Sequence, residues 1–172
     1  MLLHDADRRE LIDGALVETE MPTELHEHIV ACLTFFFRAW VRVHGGHAYA
    51  SGYKVRVDAK HGFFPDVQLY HPKNRAERTR QGLVDGAPDV VVEVLSEGSA
   101  AFDKKVKLVG YARIGVAEYW IVSPEEKSLE RLVLKRGKYV VEAVLTAGET
   151  LTLARFPGLE IPLDELFALS AL

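Results

Sequence analysis

A mixed α/β fold is predicted by three features of the sequence. A long helical pattern occupies "PTELHEHIVACLTFFFRAWVRVHGG" (22–46), and short apolar segments bounded by proline or glycine follow it. One of these, "PDVVVEVLS" (88–96), is joined by a second helical pattern to another, "VAEYWIVSP" (116–124). Strand, helix, strand in this order reads as a right-handed βαβ crossover with parallel strands. The expected architecture is a mixed β-sheet with the long helix on one face, plus β-hairpins.

Each element has a local reason. "RRELIDGALVETE" (8–20) reads as two short strands about Asp13-Gly14, a strong hairpin signal. Pro22 and Thr23 suit a helix start, and Gly45-Gly46 suits its end. Ile29, Leu33, Phe36, Phe37 and Trp40 recur at helical spacing and predict a core stripe. Residues 47–58 alternate like one strand, and a second, apolar strand starts at Pro65. Residues 73–87, with Lys73, Arg75, Arg78 and Arg80, read as a polar loop. The unbroken valines of 90–94 suggest burial on both faces and a central position. Residues 99–115 read as a helix of about three turns, stopped by Gly115. "SLERLVLKRGKYVVEAV" (128–144) reads as a hairpin about Arg136-Gly137, and the tail (151–169) as two short strands and a helical turn.

Composition bounds the function. With 48% hydrophobic residues, the 172-residue chain suits a single domain over 1–172. Its 21 basic and 25 acidic residues do not mark a nucleic-acid binder by net charge, although a local basic patch remains open. The lone Cys32 excludes an internal disulfide framework and a cysteine-rich zinc site, and reads as a small core residue. The first residues carry acids and lack an apolar signal core. The apolar run 29–41 is interrupted by Arg38 and too short to span a bilayer. A cytoplasmic protein with no membrane partner is expected.

Glu93 is the anomaly: a carboxylate inside an apolar strand. Side chains alternate along a strand, so Val90, Val92 and Val94 share one face, while Asp89, Val91, Glu93 and Leu95 share the other. In the preceding strand Asp66, Gln68 and Tyr70 share a face. If the two strands are neighbours, Asp66 and Glu93 could converge. Two close carboxylates repel, and a divalent cation relieves both repulsion and burial. Asp89 lies four residues before Glu93, roughly 13 Å along a strand, and reads as structural. Lys107 lies one turn past Asp103, so the two could simply pair on a helix surface. Tyr111, Tyr119 and Trp120 read as core packing.

Five stretches carry a wider likeness: "RRELIDGALVE", "FFPDVQLY", "PDVVVEVLS", "FDKKVKLVGYARIGVAEYWIV" and "FPGLEIPLDELF". They resemble the Uma-type restriction endonuclease family of the PD-(D/E)XK nuclease superfamily, over roughly residues 8–168. The resemblance implies a restriction-endonuclease-like core and a metal-dependent endonuclease hydrolysing DNA phosphodiester bonds. It implies Asp66, Glu93 and Lys107 as catalytic residues. Asp66, Glu93 and the backbone carbonyl of Val94 would be ligands of Mg2+ or Mn2+. The superfamily usually places a lysine two residues after the second acid. Here that residue is Leu95, and Lys107, within a "D…K…Y" pattern of Asp103, Lys107 and Tyr111, would replace it from the next helix. Lys105 is the runner-up. Glu24, Glu27 or His26 on the first helix could join the site, and the basic loop 73–80 could follow a DNA backbone. DNA is the implied partner, and a homodimer is expected because one centre cuts one strand, with the hairpin 128–144 as the candidate interface. Two alternatives remain: a non-catalytic nucleic-acid-binding or assembly module that keeps the fold, and a phosphodiesterase acting on RNA or nucleotides.

Overall fold

The computed structural model describes residues 9–18, 21–80, 82–96 and 100–169, with the side chains of 100–104 outside that description. The chain opens with β1 (Glu10–Ile12) and β2 (Ala15–Val17), a hairpin whose turn places Asp13 at φ 50° and Gly14 at φ 82°. Two left-handed residues in succession match the twist of the flanking strands. Helix α1 (Glu24–His44) follows. The Thr23 side chain accepts a hydrogen bond from the His26 N–H at 3.2 Å and caps the helix, and Gly45 at φ 81° ends it.

Next come β3 (His47–Ala50), β4 (Lys54–Arg56), β5 (Gly62–Phe63), β6 (Val67–Tyr70), β7 (Glu77–Arg78), β8 (Gly82–Asp85) and β9 (Val90–Val94). Helix α2 (Ala100–Ile114) leads to β10 (Glu118–Ser123), β11 (Ser128–Lys135) and β12 (Lys138–Thr146). β13 (Thr150–Thr152), β14 (Glu160–Pro162) and α3 (Leu163–Phe167) close the chain. Two six-stranded sheets result, in the orders β12-β11-β10-β9-β6-β3 and β2-β1-β5-β4-β8-β7, with β13-β14 as a separate pair. β9 lies between antiparallel β6 and parallel β10, the central position its valines predict.

The central strands of the first sheet, β6, β9 and β10, are buried on both faces. On one, Ile29, Leu33, Phe37 and Trp40 of α1 pack over Val67, Leu69, Val90 and Val92. On the other, Tyr70, Val91 and Tyr119 meet Val55 and Phe63 of the second sheet and Tyr111 of α2. The valine alternation therefore divides two cores rather than a core from solvent.

Four expectations are corrected. Residues 47–58 are two strands, β3 and β4, which the turn at Ser51-Gly52 sends into different sheets. The segment 73–87 contains β7 and β8, and β8 pairs in parallel with β4. With two and four residues, and β7 polar on the sheet edge, these strands are too short for periodicity to reveal. Helix α2 spans 15 residues, about four turns rather than three. Phe36 and Cys32 are half-buried at the rim of the α1 core.

The approach of α2 to the sheets depends on Gly110. A Cβ there would sit 2.6 Å from Cε2 of Phe63, whose ring meets Tyr111 edge-on. Overpacking of this kind costs about 1–3 kcal/mol, while the gain in helix propensity returns at most ~1 kcal/mol. Gly110→Ala is expected to lower the unfolding free energy by about 1 kcal/mol, read as a lower midpoint in urea denaturation. An unchanged midpoint would mean that α2 has slack against Phe63.

Candidate active site

Strand pairing brings the two predicted acids together. Val67 opposes Val92 in the antiparallel β6–β9 pair, so Asp66 enters its strand beside Glu93. An Asp66 carboxylate oxygen, Oδ2, accepts the Val94 N–H at 2.7 Å. What the structure shows of Val94 at the site is thus its N–H, engaged by Asp66, where the sequence pointed to its carbonyl as a metal ligand. Glu93 is 7% exposed and faces α2, away from the valine face, as its alternation requires.

Lys107 reaches the same place from α2. Its ammonium stands 3.1 Å from Glu93 Oε2 and 3.0 Å from Glu10 Oε1. Tyr111, one turn further on, donates its hydroxyl to Glu93 Oε1 at 2.6 Å. Glu10 is 3% exposed on β1, and Oε1 also accepts the Phe64 N–H at 3.0 Å. The second sheet therefore contributes an acid to a cluster built mainly on the first. From α1, His26 Nε2 lies 3.4 Å from Asp66 Oδ2, and His26 Nδ1 is buried without a hydrogen-bond partner.

The structure thus gathers Asp66, Glu93, Lys107 and His26. It leaves Glu24 exposed and puts Glu27, also exposed, 3.6 Å from His26. Lys105 points to solvent, and the Asp103 side chain lies outside the described residues. Leu95 is half-buried against the core between the two sheets, and its N–H bonds to the Val122 carbonyl. Asp89 is structural: it accepts the His71 N–H at 2.7 Å and the Asn74 amide at 2.8 Å, and it pairs with Arg155.

Sequence reasoning missed two members. Tyr111, which the family likeness includes in its "D…K…Y" pattern without a role, reads as packing; it does pack, and its hydroxyl is also the shortest contact to Glu93. Glu10 escaped notice because a three-residue strand carries little pattern. Its signal was the alternation of Glu10 with Ile12 across Leu11, which points Glu10 toward the same interior as the buried Ile12.

The electrostatics follow from three buried or half-buried carboxylates around one ammonium. Burial pushes Glu93 up; Lys107 opposes this, and the charges of Asp66 and Glu10 add to it, raising Glu93 to about 8. Burial works against the charge of Lys107, but Glu93 and Glu10 outweigh it and hold Lys107 cationic beyond the usual lysine range. His26 is raised chiefly by its hydrogen bond to Asp66. Burial, then the neighbouring Glu93, pushes Tyr111 well above the usual phenol range, so it remains a donor. Among the described residues no three His, Cys, Asp or Glu side chains gather closely enough to form a metal cage by themselves.

Comparison with known proteins meets this geometry. Residues 1–164 match the Uma2 family, described as "Putative restriction endonuclease". The chain belongs to that family. No curated protein matches it. A crystal structure of "a putative nuclease belonging to DUF820" from Anabaena variabilis ATCC 29413 superposes at TM-score 0.74 and 17% identity, covering 92% of this chain and 89% of that one. The fold is therefore restriction-endonuclease-like. The type IIG restriction endonuclease BpuSI aligns at TM-score 0.45 and 12% identity, over 90% of this chain and 17% of that one. The DrdV–DNA complex aligns at TM-score 0.42 and 15% identity, over 82% and 11%. Among the described residues no helix is long and apolar enough to cross a membrane.

The acid cluster makes stability depend on pH. Glu93 keeps its proton to about pH 8 in the folded chain but ionises near 4.5 when unfolded. The native state then binds more protons through that window, so stability is greatest below the lower value and falls as pH rises toward the upper. His26, also raised, adds a decline of the same sign from its ordinary value of 6.5 upward. Glu93→Gln is expected to flatten the decline between about pH 4.5 and 8 in metal-free urea denaturation. Parallel wild-type and variant curves would show that Glu93 is ionised throughout.

Proposed function

We propose that the chain is a metal-dependent endonuclease that hydrolyses DNA phosphodiester bonds at Asp66, Glu93 and Lys107. The observation carrying this reading is that these three side chains, from two strands and a helix, meet at one seam where acidic groups outnumber the lysine. Family membership supplies the reaction class.

The donor set fits a hard divalent cation. Asp66 and Glu93 offer oxygen ligands, and the burial and neighbouring acids that drive Glu93 toward protonation would be offset by a bound cation. Magnesium commonly takes one or two carboxylates and completes its shell with water and substrate phosphate, a demand that Asp66 and Glu93 would meet. Asp66 and Glu93 would hold it, with the Val94 carbonyl as the further ligand the family likeness implies. When bound, the ion supplies Lewis acidity and lowers the pKa of water.

The chain's own residues do the rest. The Val94 N–H and His26 hold the Asp66 carboxylate. Tyr111 fixes one oxygen of Glu93. Lys107 presents a permanent positive charge where charge develops on the scissile phosphate. Glu10 anchors Lys107, and the Phe64 N–H anchors Glu10.

Duplex cleavage calls for a second centre, and a second copy is the partner this reading gives to β12. That strand runs nine residues along an outer edge of the first sheet and exposes Val140, Val141 and Val144. Two such edges related by a two-fold axis pair antiparallel.

A plasmid-nicking assay with Mg2+ or Mn2+ tests the reaction. Wild type is expected to nick, and Asp66→Asn, Glu93→Gln and Lys107→Met each to lose at least about 100-fold in rate. Calorimetry should show Mn2+ binding to wild type and a weakened signal in Glu93→Gln. Inactivity of the wild type together with no metal uptake would sink the enzyme reading and favour a binding or assembly module.

A further inference from the structure

Charge is distributed unevenly over this acidic chain. Four of its cations are held in ion pairs: Arg113 with Asp58, Arg131 with Glu118, Lys135 with Glu142 and Arg155 with Asp89. Along one side of α1 a group of cations is not. Arg38 and Arg42, one turn apart and exposed, have no carboxylate partner among the described residues, and neither does Arg80 across from them. They line two open depressions of about 550 and 530 Å3 that share Arg38, Ala48 and Tyr49 and so form one groove. Lys54, resting on the Phe64 ring, is on the far wall, and no Asp or Glu is among the lining residues. In a chain with 25 acidic residues, an acid-free groove with basic walls is a site of selective charge.

The groove follows the outer edge of β3, the terminal strand of the first sheet. One end adjoins the acid cluster: Ala50 opposes Val67, the residue after Asp66, and the Tyr53 carbonyl accepts the Gln68 amide at 2.6 Å. Helix α1 has the same orientation, with His26 at Asp66 and the arginines further along.

We propose that this groove is the track of the DNA backbone, with Arg38 and Arg42 contacting phosphates upstream or downstream of the cleaved bond. The direction of the track rests on the nuclease reading of the acid cluster; the groove's affinity for polyphosphate does not. Twelve residues of helix separate His26 from Arg38, a rise of roughly 18 Å. For a duplex whose axis runs along α1, with about 3.4 Å of axis per phosphate on one strand, Arg38 would touch the backbone some five nucleotides from the cut. Arg42 would touch it about two nucleotides further on.

Fluorescence anisotropy with labelled single-stranded and duplex DNA tests this, on the cleavage-silent Glu93→Gln background and without divalent metal. Adding Arg38→Gln and Arg42→Gln is expected to weaken binding about tenfold at low salt and to make the salt slope shallower by about two. Adding Lys60→Gln, in the exposed turn between β4 and β5 and outside the groove, should change neither. Both arginines are exposed, so an unchanged melting temperature certifies folding, and Arg42→Gln alone should change the slope by about one. Binding of equal strength and slope in all variants would overturn the track, as would failure of the parent to bind either DNA. Wild-type cleavage, measured separately, keeps the two readings apart. Arginine-dependent binding without cleavage would retain the track and sink the nuclease. Cleavage with arginine-independent binding would do the reverse.

Discussion

One ammonium shared between two buried carboxylates holds this molecule's central seam. Lys107 lies between Glu10 of the second sheet and Glu93 of the first, and it rides on the helix that joins β9 to β10. Removing the cation would leave two desolvated acids facing each other, the most costly outcome for buried charge. Removing either acid leaves the other paired. The lysine is therefore the member of the cluster on which the electrostatics turn, and it ties three separate elements to one point.

The rest of the architecture brings these elements to the seam. The first sheet carries Asp66 and Glu93 on neighbouring strands because β6 and β9 pair directly. The second sheet packs Val55 and Phe63 against the face of the first that Glu93 occupies, which both buries the acid and brings Glu10 within reach. Helix α1 covers the opposite face, yet its capped N-terminus extends beyond the sheet end far enough to set His26 at Asp66. Burial and function have one origin here: the contacts that exclude water are those that raise Glu93.

Much of this was legible in the sequence, for physical reasons. The strand alternation assigned Glu93 and the valines to opposite faces, and Pro65-Asp66 marked the start of the neighbouring strand. Helix caps at Thr23 and Gly45 are local events that residue chemistry decides. What stayed hidden was non-local. The second sheet consists of strands of two to four residues, too short for periodicity, and its hairpins are joined by pairs between distant segments, β1 with β5 and β4 with β8. Glu10 lies on a strand that the hairpin signal predicts, but its approach to Lys107 depends on those distant pairs. Tyr111 was seen as an aromatic in a core, but no pattern of residues could say that its hydroxyl, rather than its ring alone, was in use.

The departure at Leu95 follows from the same seam. A lysine two residues after Glu93 would share its face, with its position set by strand register alone. Here Leu95 is half-buried against the core that contains Tyr111, and its N–H is bonded to β10. The cation comes instead from α2, where Lys107, Gly110 and Tyr111 fall on one helix face at spacings of three and four. Gly110 lets that face close onto Phe63, since even a methyl group would collide with the ring at 2.6 Å. The distance from ammonium to Glu93 is thus governed by helix docking, whereas the placement of Asp66 against Glu93 is governed by the sheet. The two can vary independently: a shift of α2 by a fraction of an ångström moves Lys107 and Tyr111 together and leaves both acids in place. A site assembled in this way separates the anchoring of its acids from the positioning of its cation, and a helix contact, more readily adjusted than a central strand, sets the second.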